Sequence, residues 1–159
     1  MNVYNATFLP HLNYCNIIWG SANMSALDPL IKLQKKAIRL VNNSHYIEHT
    51  APIFLSLKVL TINQVFKLNC LVFMFKCLKT DKFPEFKKRL IKNSNIHFHN
   101  TRKNNHYRPP RERLEMCKRS YFVQSILMWN SIDASIQISS TISIFKQNVK
   151  KLLLQNAIL

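Results

Sequence analysis

The fold of this chain is decided by the stretch TINQVFKLNCLVFMFKCL, which runs from Thr61 to Leu78. Thr61 and Gln64 fit the S/T-x-x-E/Q capping box that marks the first turn of a helix. The apolar residues that follow cover almost the whole circumference of that helix: Phe66, Leu68, Leu71, Val72, Phe73, Met74 and Phe75. A helix that is apolar on nearly every side belongs at the centre of a core, so we expect the rest of the protein to pack around it. A cofactor site built from these phenylalanines is the alternative, and core packing is the commoner use of such a pattern.

Helical patterns also lie on both sides of this stretch. The predicted elements are a segment from Tyr4 to Trp19 that is helical up to Pro10 and again beyond it, a helix opened by Asp28 and Pro29, a short helix near Ile53, an amphipathic helix that includes Tyr121 and ends near Asn130-Ser131, and a last helix capped by Ser140 or Thr141. No segment alternates apolar and polar residues as a strand does. The expected fold class is mainly α: a small helical bundle over residues 1–92, a basic loop or arm over 93–119, and a C-terminal pair of helices over 120–159.

Positive charge dominates the composition. The 159 residues include 23 Lys or Arg and 7 Asp or Glu, for a net charge of +16, and 47% of the chain is apolar. That apolar fraction is enough for a core, so the cations belong to a folded protein that needs an anionic partner. Nucleic acid is the first expectation, followed by an anionic membrane surface and an acidic protein.

The same composition argues against an enzyme. None of the seven acids falls in a D-x-D arrangement that would hold catalytic magnesium, so no catalytic residue, metal or cofactor is expected in this chain. Gly20 is the only glycine, which excludes a phosphate-binding loop, a dinucleotide fingerprint and a G-x-S-x-G elbow.

The helix from Leu27 to Val41 separates apolar from basic residues. One half of its circumference carries Leu27, Leu30, Ile31, Leu33, Ala37, Ile38, Leu40 and Val41, with Gln34 as the one polar residue among them. An arc of about 100° on the opposite side holds Lys32, Lys35, Lys36 and Arg39. No acid follows these cations by four residues, so a phosphate backbone would relieve their mutual repulsion. Contact with a duplex and simple solvation of this face are equally weighted interpretations.

A second basic region runs from Lys87 to Arg119, with eleven cations against two acids. Within it, Ser94 to Pro110 is predicted to be a loop or extended arm. Rings and cations alternate along this arm at Phe98, His99, Arg102, Lys103, His106, Tyr107 and Arg108. Because cations neutralise phosphates and rings stack on unpaired bases, the pattern favours contact with a single strand or a junction. A flexible basic linker is the alternative.

Histidine and cysteine give no metal pattern. His97, His99, His106 and Cys117 share one polar region, but their spacings match no zinc motif. Cys70 and Cys77 lie two turns apart on one helix and are expected to be core thiols. Without a C-x-x-C pair, a signal peptide or an apolar run of about 18 residues, the chain is expected to be soluble and intracellular, nuclear or cytoplasmic, and not bound to membranes.

Several short motifs, in chain order, resemble one family. They are YCNIIWG at 14–20, LDPLIKLQKKAIRLV at 27–41, HTAPIF from His49, LSLKVLTINQVFKLNCLVFMFK at 55–76, NTR at 100–102, WNS at 129–131 and FKQNVKKLLL from Phe145. The series is similar to the region that follows the polymerase palm in reverse transcriptases (RNA-directed DNA polymerases) of non-LTR (LINE) retrotransposons of the jockey and CR1 type. The resemblance covers nearly the whole chain.

The resemblance implies a thumb-like and post-thumb fragment of a larger enzyme. The parent enzyme carries an endonuclease and a palm whose aspartates hold magnesium, and no residue here matches those aspartates. The leading hypothesis is therefore non-catalytic binding of template RNA, primer duplex or target DNA. Lys32, Lys35, Lys36 and Arg39 would follow a duplex, and structured RNA or nicked DNA would contact Arg102, Lys103, Arg108, Arg111 and Arg113. The alternatives are a scaffold that docks on the upstream palm domain, and an inert truncated relic.

Overall fold

Helices make up 67% of the residues that the structure describes, so the mainly α fold class is confirmed. The computed structural model describes residues 1–96 and 102–155, which contain ten α-helices, a π-helical turn (Tyr4–Phe8), a 3-10 turn (Asn93–Asn95) and no strand. The α-helices are α1 (Leu9–Asn13), α2 (Asn16–Trp19), α3 (Met24–Val41), α4 (Thr50–Ser56), α5 (Ile62–Lys79), α6 (Pro84–Lys88), α7 (Glu115–Lys118), α8 (Tyr121–Ser131), α9 (Ala134–Gln137) and α10 (Ile142–Gln155).

Helix α5 begins as the capping box predicts. The backbone N–H of Thr61 donates to Gln64 Oε1 at 2.9 Å, and the N–H of Gln64 donates to Thr61 Oγ1 at 3.4 Å. Buried side chains lie on several sides of the helix: Ile62, Val65, Phe66, Cys70, Leu71, Val72, Met74, Phe75 and Cys77. The apolar circumference read from the sequence therefore corresponds to burial on several sides.

Helix α3 begins four residues earlier than Asp28 predicts. Asn23 is the N-cap, and its Oδ1 accepts the N–H of Ala26 at 3.3 Å, so the helix starts at Met24 and Pro29 lies inside it. The prediction was wrong here because an asparagine cap satisfies a free N–H of the first turn, whereas a proline near the start only leaves one early carbonyl without its usual partner.

The buried strip of α3 is narrower than its apolar half. Leu27 and Ile38 are buried, but Leu30 is 36%, Leu33 is 52% and Leu40 is 82% exposed. The apolar half of α3 is therefore not buried across its whole width. Periodicity shows which residues share a side of a helix, but it does not show how wide the neighbouring surface is.

Gln34, the polar residue in that apolar half, is buried and forms hydrogen bonds to three other residues of unit 1. Its Nε2 donates to the Tyr4 hydroxyl at 3.0 Å and to the Leu60 carbonyl at 2.9 Å, while its Oε1 accepts the N–H of Ile62 at 3.0 Å. Only 1% of the residue is exposed. These bonds join the π-helical turn, α3 and the first residue of α5. Because both amide hydrogens and the oxygen have partners, the amide is tolerated in the core.

Gly20 lets α5 pass close to the end of α2. A Cβ at this position would lie 2.6 Å from the Asn16 carbonyl oxygen and 2.7 Å from Phe66 Cδ2. The φ angle of Gly20 is −67°, which any residue can adopt. Close packing, and not backbone freedom, is therefore what requires a glycine here.

The chain divides into two compact units. Unit 1 comprises Met1–Asn69 and Gln147–Leu159, and unit 2 comprises Cys70–Lys146. Both boundaries fall inside helices, α5 and α10. An apolar cluster in unit 1 contains Tyr4, Ile38, Ile53, Phe54 and Val59. The three predicted segments, 1–92, 93–119 and 120–159, stay a prediction, because a division by compactness does not test them as domains.

Aromatic rings form much of the interior of unit 2. The Phe73 ring lies 5.5 Å from Phe83, 5.2 Å from Phe86 and 5.4 Å from Tyr121, measured between centroids. A second ring group contains Phe75, Trp129 and Phe145. Edge-on and offset contacts of this kind add directional stabilisation to burial, so the phenylalanines serve core packing as predicted.

Candidate nucleic-acid interface

The basic face of α3 is largely exposed, but its cations are not equivalent. Lys32 Nζ lies 2.6 Å from Asp28 Oδ2, one turn earlier on the helix. The expectation that no acid balances this face is therefore wrong for Lys32, because it considered only acids that follow the cations. Lys35 and Lys36 are exposed and form no ion pair within residues 1–96 and 102–155. They are the two cations of α3 most available to an external anion.

Arg39 has a structural contact of its own. Its Nε donates to the carbonyl oxygen of Glu48 at 2.9 Å and so holds the loop that follows α3. The helix end is closed by the N–H of Asn43 to Leu40 O at 3.2 Å and the N–H of Ser44 to Arg39 O at 2.9 Å. Asn43 adopts a φ of 52°, a left-handed conformation that asparagine tolerates at a helix end. Arg39 is half-buried, so it is less available for phosphate than Lys35 or Lys36 would be.

Hydrogen bonds join the two ends of the basic arm, which we call the base of the arm. Lys92 and Tyr107 form an antiparallel bridge, and the N–H of Asn93 donates to the His106 carbonyl at 3.0 Å. The Asn93 side chain adds a bond from Nδ2 to the Lys103 carbonyl at 2.9 Å. Lys92 Nζ also lies 5.7 Å from the centre of the Tyr107 ring, within cation–π range. Backbone hydrogen bonds therefore join Lys92 and Asn93 to His106 and Tyr107, so the two described ends of the arm lie side by side.

Asn130 clamps this base from the end of α8. Its Oδ1 accepts the N–H of Tyr107 at 3.0 Å, and its Nδ2 donates to the carbonyl of Tyr107 at 2.7 Å. One side chain thus pairs with both backbone groups of one residue, as a neighbouring strand would. Burial raises the pKa of the Tyr107 hydroxyl, and the nearby positive charge of Lys87 opposes that rise. These two bonds hold the Tyr107 end of the arm against the end of α8.

The predicted cations of the arm are mostly exposed. Arg102, Lys103, Arg111 and Arg113 are exposed, and Arg108 is half-buried with its backbone N–H bonded to Ile91 O at 2.8 Å. None of these five cations forms an ion pair in the described residues. The ion pairs that unit 2 does form there are Lys87 with Asp81, Lys88 with Glu85, and Lys118 with Glu115. The arm cations are therefore left without acidic partners in the part of the chain that the structure describes.

Part of the predicted arm lies outside the described residues. His97 to Thr101 belong to that part, so the rings of Phe98 and His99 and most of the NTR motif have no structural account. His106 and Tyr107 are half-buried at the base of the arm. Stacking of the arm's rings on bases stays a prediction.

The two predicted sets of cations belong to different units. The α3 set lies in unit 1, and the arm set lies in unit 2. Unit 2 contains 15 of the 23 Lys and Arg residues and five of the seven acids, for a net charge of +10, which leaves +6 for unit 1. Each unit thus carries its own excess of positive charge, and each can be tested as a separate binding surface.

Thiols and histidines form no metal cluster among residues 1–96 and 102–155. His97 and His99 of the weighed zinc set fall outside that range. Burial raises the pKa of the Cys70 thiol to about 12, with Ser125 opposing the rise, and raises that of Cys77 to about 11. Such thiols stay protonated at neutral pH, which fits a place in the core. Within the described chain, no helix has both the length and the apolar character needed to cross a membrane.

The sequence did not indicate the roles of two residues near the arm, Asn130 and Arg89. Asn130 was visible only as the centre of the WNS motif, and nothing in its spacing indicates a bond to Tyr107, 23 residues earlier. Arg89 places its guanidinium carbon 4.6 Å from the centre of the Phe122 ring, which diverts this cation towards packing. Long-range pairings of this kind leave no periodic signal.

Comparisons with known proteins add no relative. No family model matches this chain, and neither a curated protein nor a solved structure matches it significantly. The exposed cations of α3 and of the arm, together with the resemblance of the short motifs, are therefore the available indications of function.

Proposed function

We propose that this chain is a non-catalytic, nucleic-acid-binding C-terminal region of a non-LTR retrotransposon reverse transcriptase. It grips template RNA, primer duplex or target DNA inside the cell through the exposed cations of α3 and of the basic arm. Polymerisation belongs to an upstream palm domain, the second partner of this chain, whose carboxylates bind magnesium. No residue of this chain has a catalytic role in the proposal.

The anchored arm is the observation that carries the proposal. Arg102, Lys103, Arg111 and Arg113 are exposed and unpaired in the described residues, while neighbouring lysines of the same unit are neutralised by acids. Four unpaired cations on one short segment create a strong positive field. Because the base of the arm is fixed by Asn130, less conformational entropy is lost when the arm meets a phosphate backbone.

Salt-dependent binding tests the proposal. Fluorescence anisotropy would measure the affinity for labelled duplex DNA and single-stranded RNA at several salt concentrations. For Lys35→Ala with Lys36→Ala, the slope of log K against log salt on the duplex should become shallower by about 1.8, since each neutralised phosphate contributes about 0.9. For Arg102→Ala with Lys103→Ala, the single-strand slope should fall by about 1.4, at about 0.7 per phosphate.

The matched control is Lys87→Ala with Lys88→Ala. Like each test variant, it removes two positive charges. Here, however, both lysines already have acidic partners: Lys87 lies 2.9 Å from Asp81, and Lys88 lies 2.8 Å from Glu85. We expect the control to change either slope by less than half as much as the test variants. Equal slopes for all variants, or no wild-type binding at low salt, would contradict the proposal.

A scaffold role is the second candidate, and the leucines of α3 favour it. Leu33 is 52% and Leu40 is 82% exposed on the same helix, seven residues apart and therefore on one side. If these residues dock on the palm domain, the isolated chain should bind a hydrophobic dye, and Leu33→Glu with Leu40→Glu should reduce the dye signal and the co-purification of the palm. Unchanged co-purification would leave nucleic-acid binding as the only supported role.

A further inference from the structure

Three lysines surround a groove in unit 1 that none of the predicted functions uses. The groove has a volume of about 470 Å³ and lies between the end of α4 and α10. Lys58, Lys150 and Lys151 line it, together with the apolar side chains of Leu55 and Leu154. All three lysines are exposed, and no ion pair engages them in the described residues. Among the residues that the structure describes, no acid lines the groove.

A smaller cavity shares two of these lysines. It has a volume of about 260 Å³, and Lys58 and Lys150 contribute to both spaces. Its walls are otherwise mostly apolar and include Leu9, Leu57 and Leu68. An apolar space beside a cluster of cations is the arrangement that an amphipathic anion requires, since one end of the ligand leaves water and the other keeps a charge partner.

Lys58 occupies a position where glycine would be more stable. Its φ is 53°, and the N–H of Lys58 donates to Leu55 O at 3.1 Å while the N–H of Val59 donates to Phe54 O at 2.9 Å. This is the Schellman ending of a helix, in which the left-handed residue is usually glycine. A lysine there strains the backbone and also projects its cation at the junction of the two spaces.

We propose that unit 1 binds a small amphipathic anion, an alkyl or acyl chain that ends in a phosphate or carboxylate. The chain enters the apolar cavity, and the anionic group meets Lys58, Lys150 and Lys151. This site does not depend on nucleic-acid binding, because neither the α3 cations nor the arm contributes to it.

Calorimetric titration with decyl phosphate tests the site on the full chain. We expect decyl phosphate to bind at least about tenfold more tightly than inorganic phosphate or decanol, because each of these lacks one half of the recognised ligand. Methyl NMR shifts should locate the bound chain at Leu9, Leu57 and Leu68. Tighter binding of adenosine monophosphate than of decyl phosphate would overturn the proposal in favour of a nucleotide, and binding only to anionic phospholipid vesicles would overturn it in favour of a membrane surface.

The variant Lys58→Gly separates ligand loss from unfolding. It relieves the left-handed strain, so the melting temperature should rise by about 2–4 °C. The affinity for decyl phosphate should fall at least about threefold, as one cation is lost. Asn43→Gly makes the same backbone change at the end of α3, and Lys67→Met removes a cation elsewhere in unit 1, so both should keep wild-type affinity. A Lys58→Gly protein that binds as tightly as the wild type would overturn the site.

Discussion

Replacing Gln34 by leucine should destabilise unit 1 strongly, although the new side chain is apolar and of similar size. The substitution leaves three groups without their partner: the Tyr4 hydroxyl, the Leu60 carbonyl and the Ile62 N–H. A buried polar group that loses its hydrogen bond costs about 1–3 kcal/mol. The greater apolarity of leucine offsets part of this sum. We therefore expect Gln34→Leu to lower the free energy of unfolding by about 3 kcal/mol and the melting temperature by about 6–12 °C.

Urea denaturation followed by circular dichroism measures this loss. Lys35→Leu is the matched control, because it places the same side chain at the next, exposed position of α3, and it should change stability by no more than about 0.5 kcal/mol. In a Tyr4→Phe background the cost of Gln34→Leu should shrink by about 1 kcal/mol, since one of the three groups is then absent. A cost of less than about 1 kcal/mol for Gln34→Leu would show that the three bonds contribute almost nothing to stability.

Three further predictions concern other parts of the core and the arm. Burial raises the pKa of Cys70 from 9.0 to about 12, so above pH 9 the thiol loses its proton in the unfolded state before it does so in the folded state. The free energy of unfolding should therefore fall above pH 9, by about 1.4 kcal/mol per pH unit more in the wild type than in Cys70→Ala. Urea denaturation at several pH values between about 9 and 10.5 measures the difference. Asn130→Ala removes both bonds to Tyr107, so hydrogen exchange of the Tyr107 amide should accelerate at least about fivefold, while Ser131→Ala should leave it unchanged. Gly20→Ala places a Cβ 2.7 Å from Phe66 Cδ2 and should cost about 1–3 kcal/mol in thermal unfolding; a neutral result would mean that α5 can shift freely.

Local signals in the sequence predicted local structure well. The Thr61 and Gln64 capping box formed with the expected reciprocal bonds, and Thr141 caps α10 by accepting the N–H of Ile144 at 3.3 Å. Both features depend on residues within one turn of a helix. For these two helices, the chemistry of the capping side chain is sufficient to place the start.

Other features depend on contacts between distant residues, which leave no local signal in the sequence. Leu40 belongs to the apolar half of α3 but is exposed, because nothing in the pattern shows how far a neighbouring element extends. Gln34 interrupts the same half, and its partners Tyr4 and Ile62 lie 30 and 28 residues away. The identity of the basic residues was readable from the sequence. Which of them have acidic partners, as Lys32 does, depended on side-chain geometry.

The division of unit 1 into two pieces of sequence affects the order in which the protein can fold during synthesis. Gln64 Nε2 donates to the carbonyl of Leu153 at 2.8 Å, so the start of α5 is completed by a helix made 89 residues later. Unit 2 is one uninterrupted stretch and can fold while the ribosome is still translating. Unit 1 has to wait with part of its apolar surface uncovered until α10 leaves the exit tunnel. A translational pause or a stop codon near Gln147 would therefore leave Met1–Asn69 open to aggregation and proteolysis, although the change itself lies near the other end of the sequence.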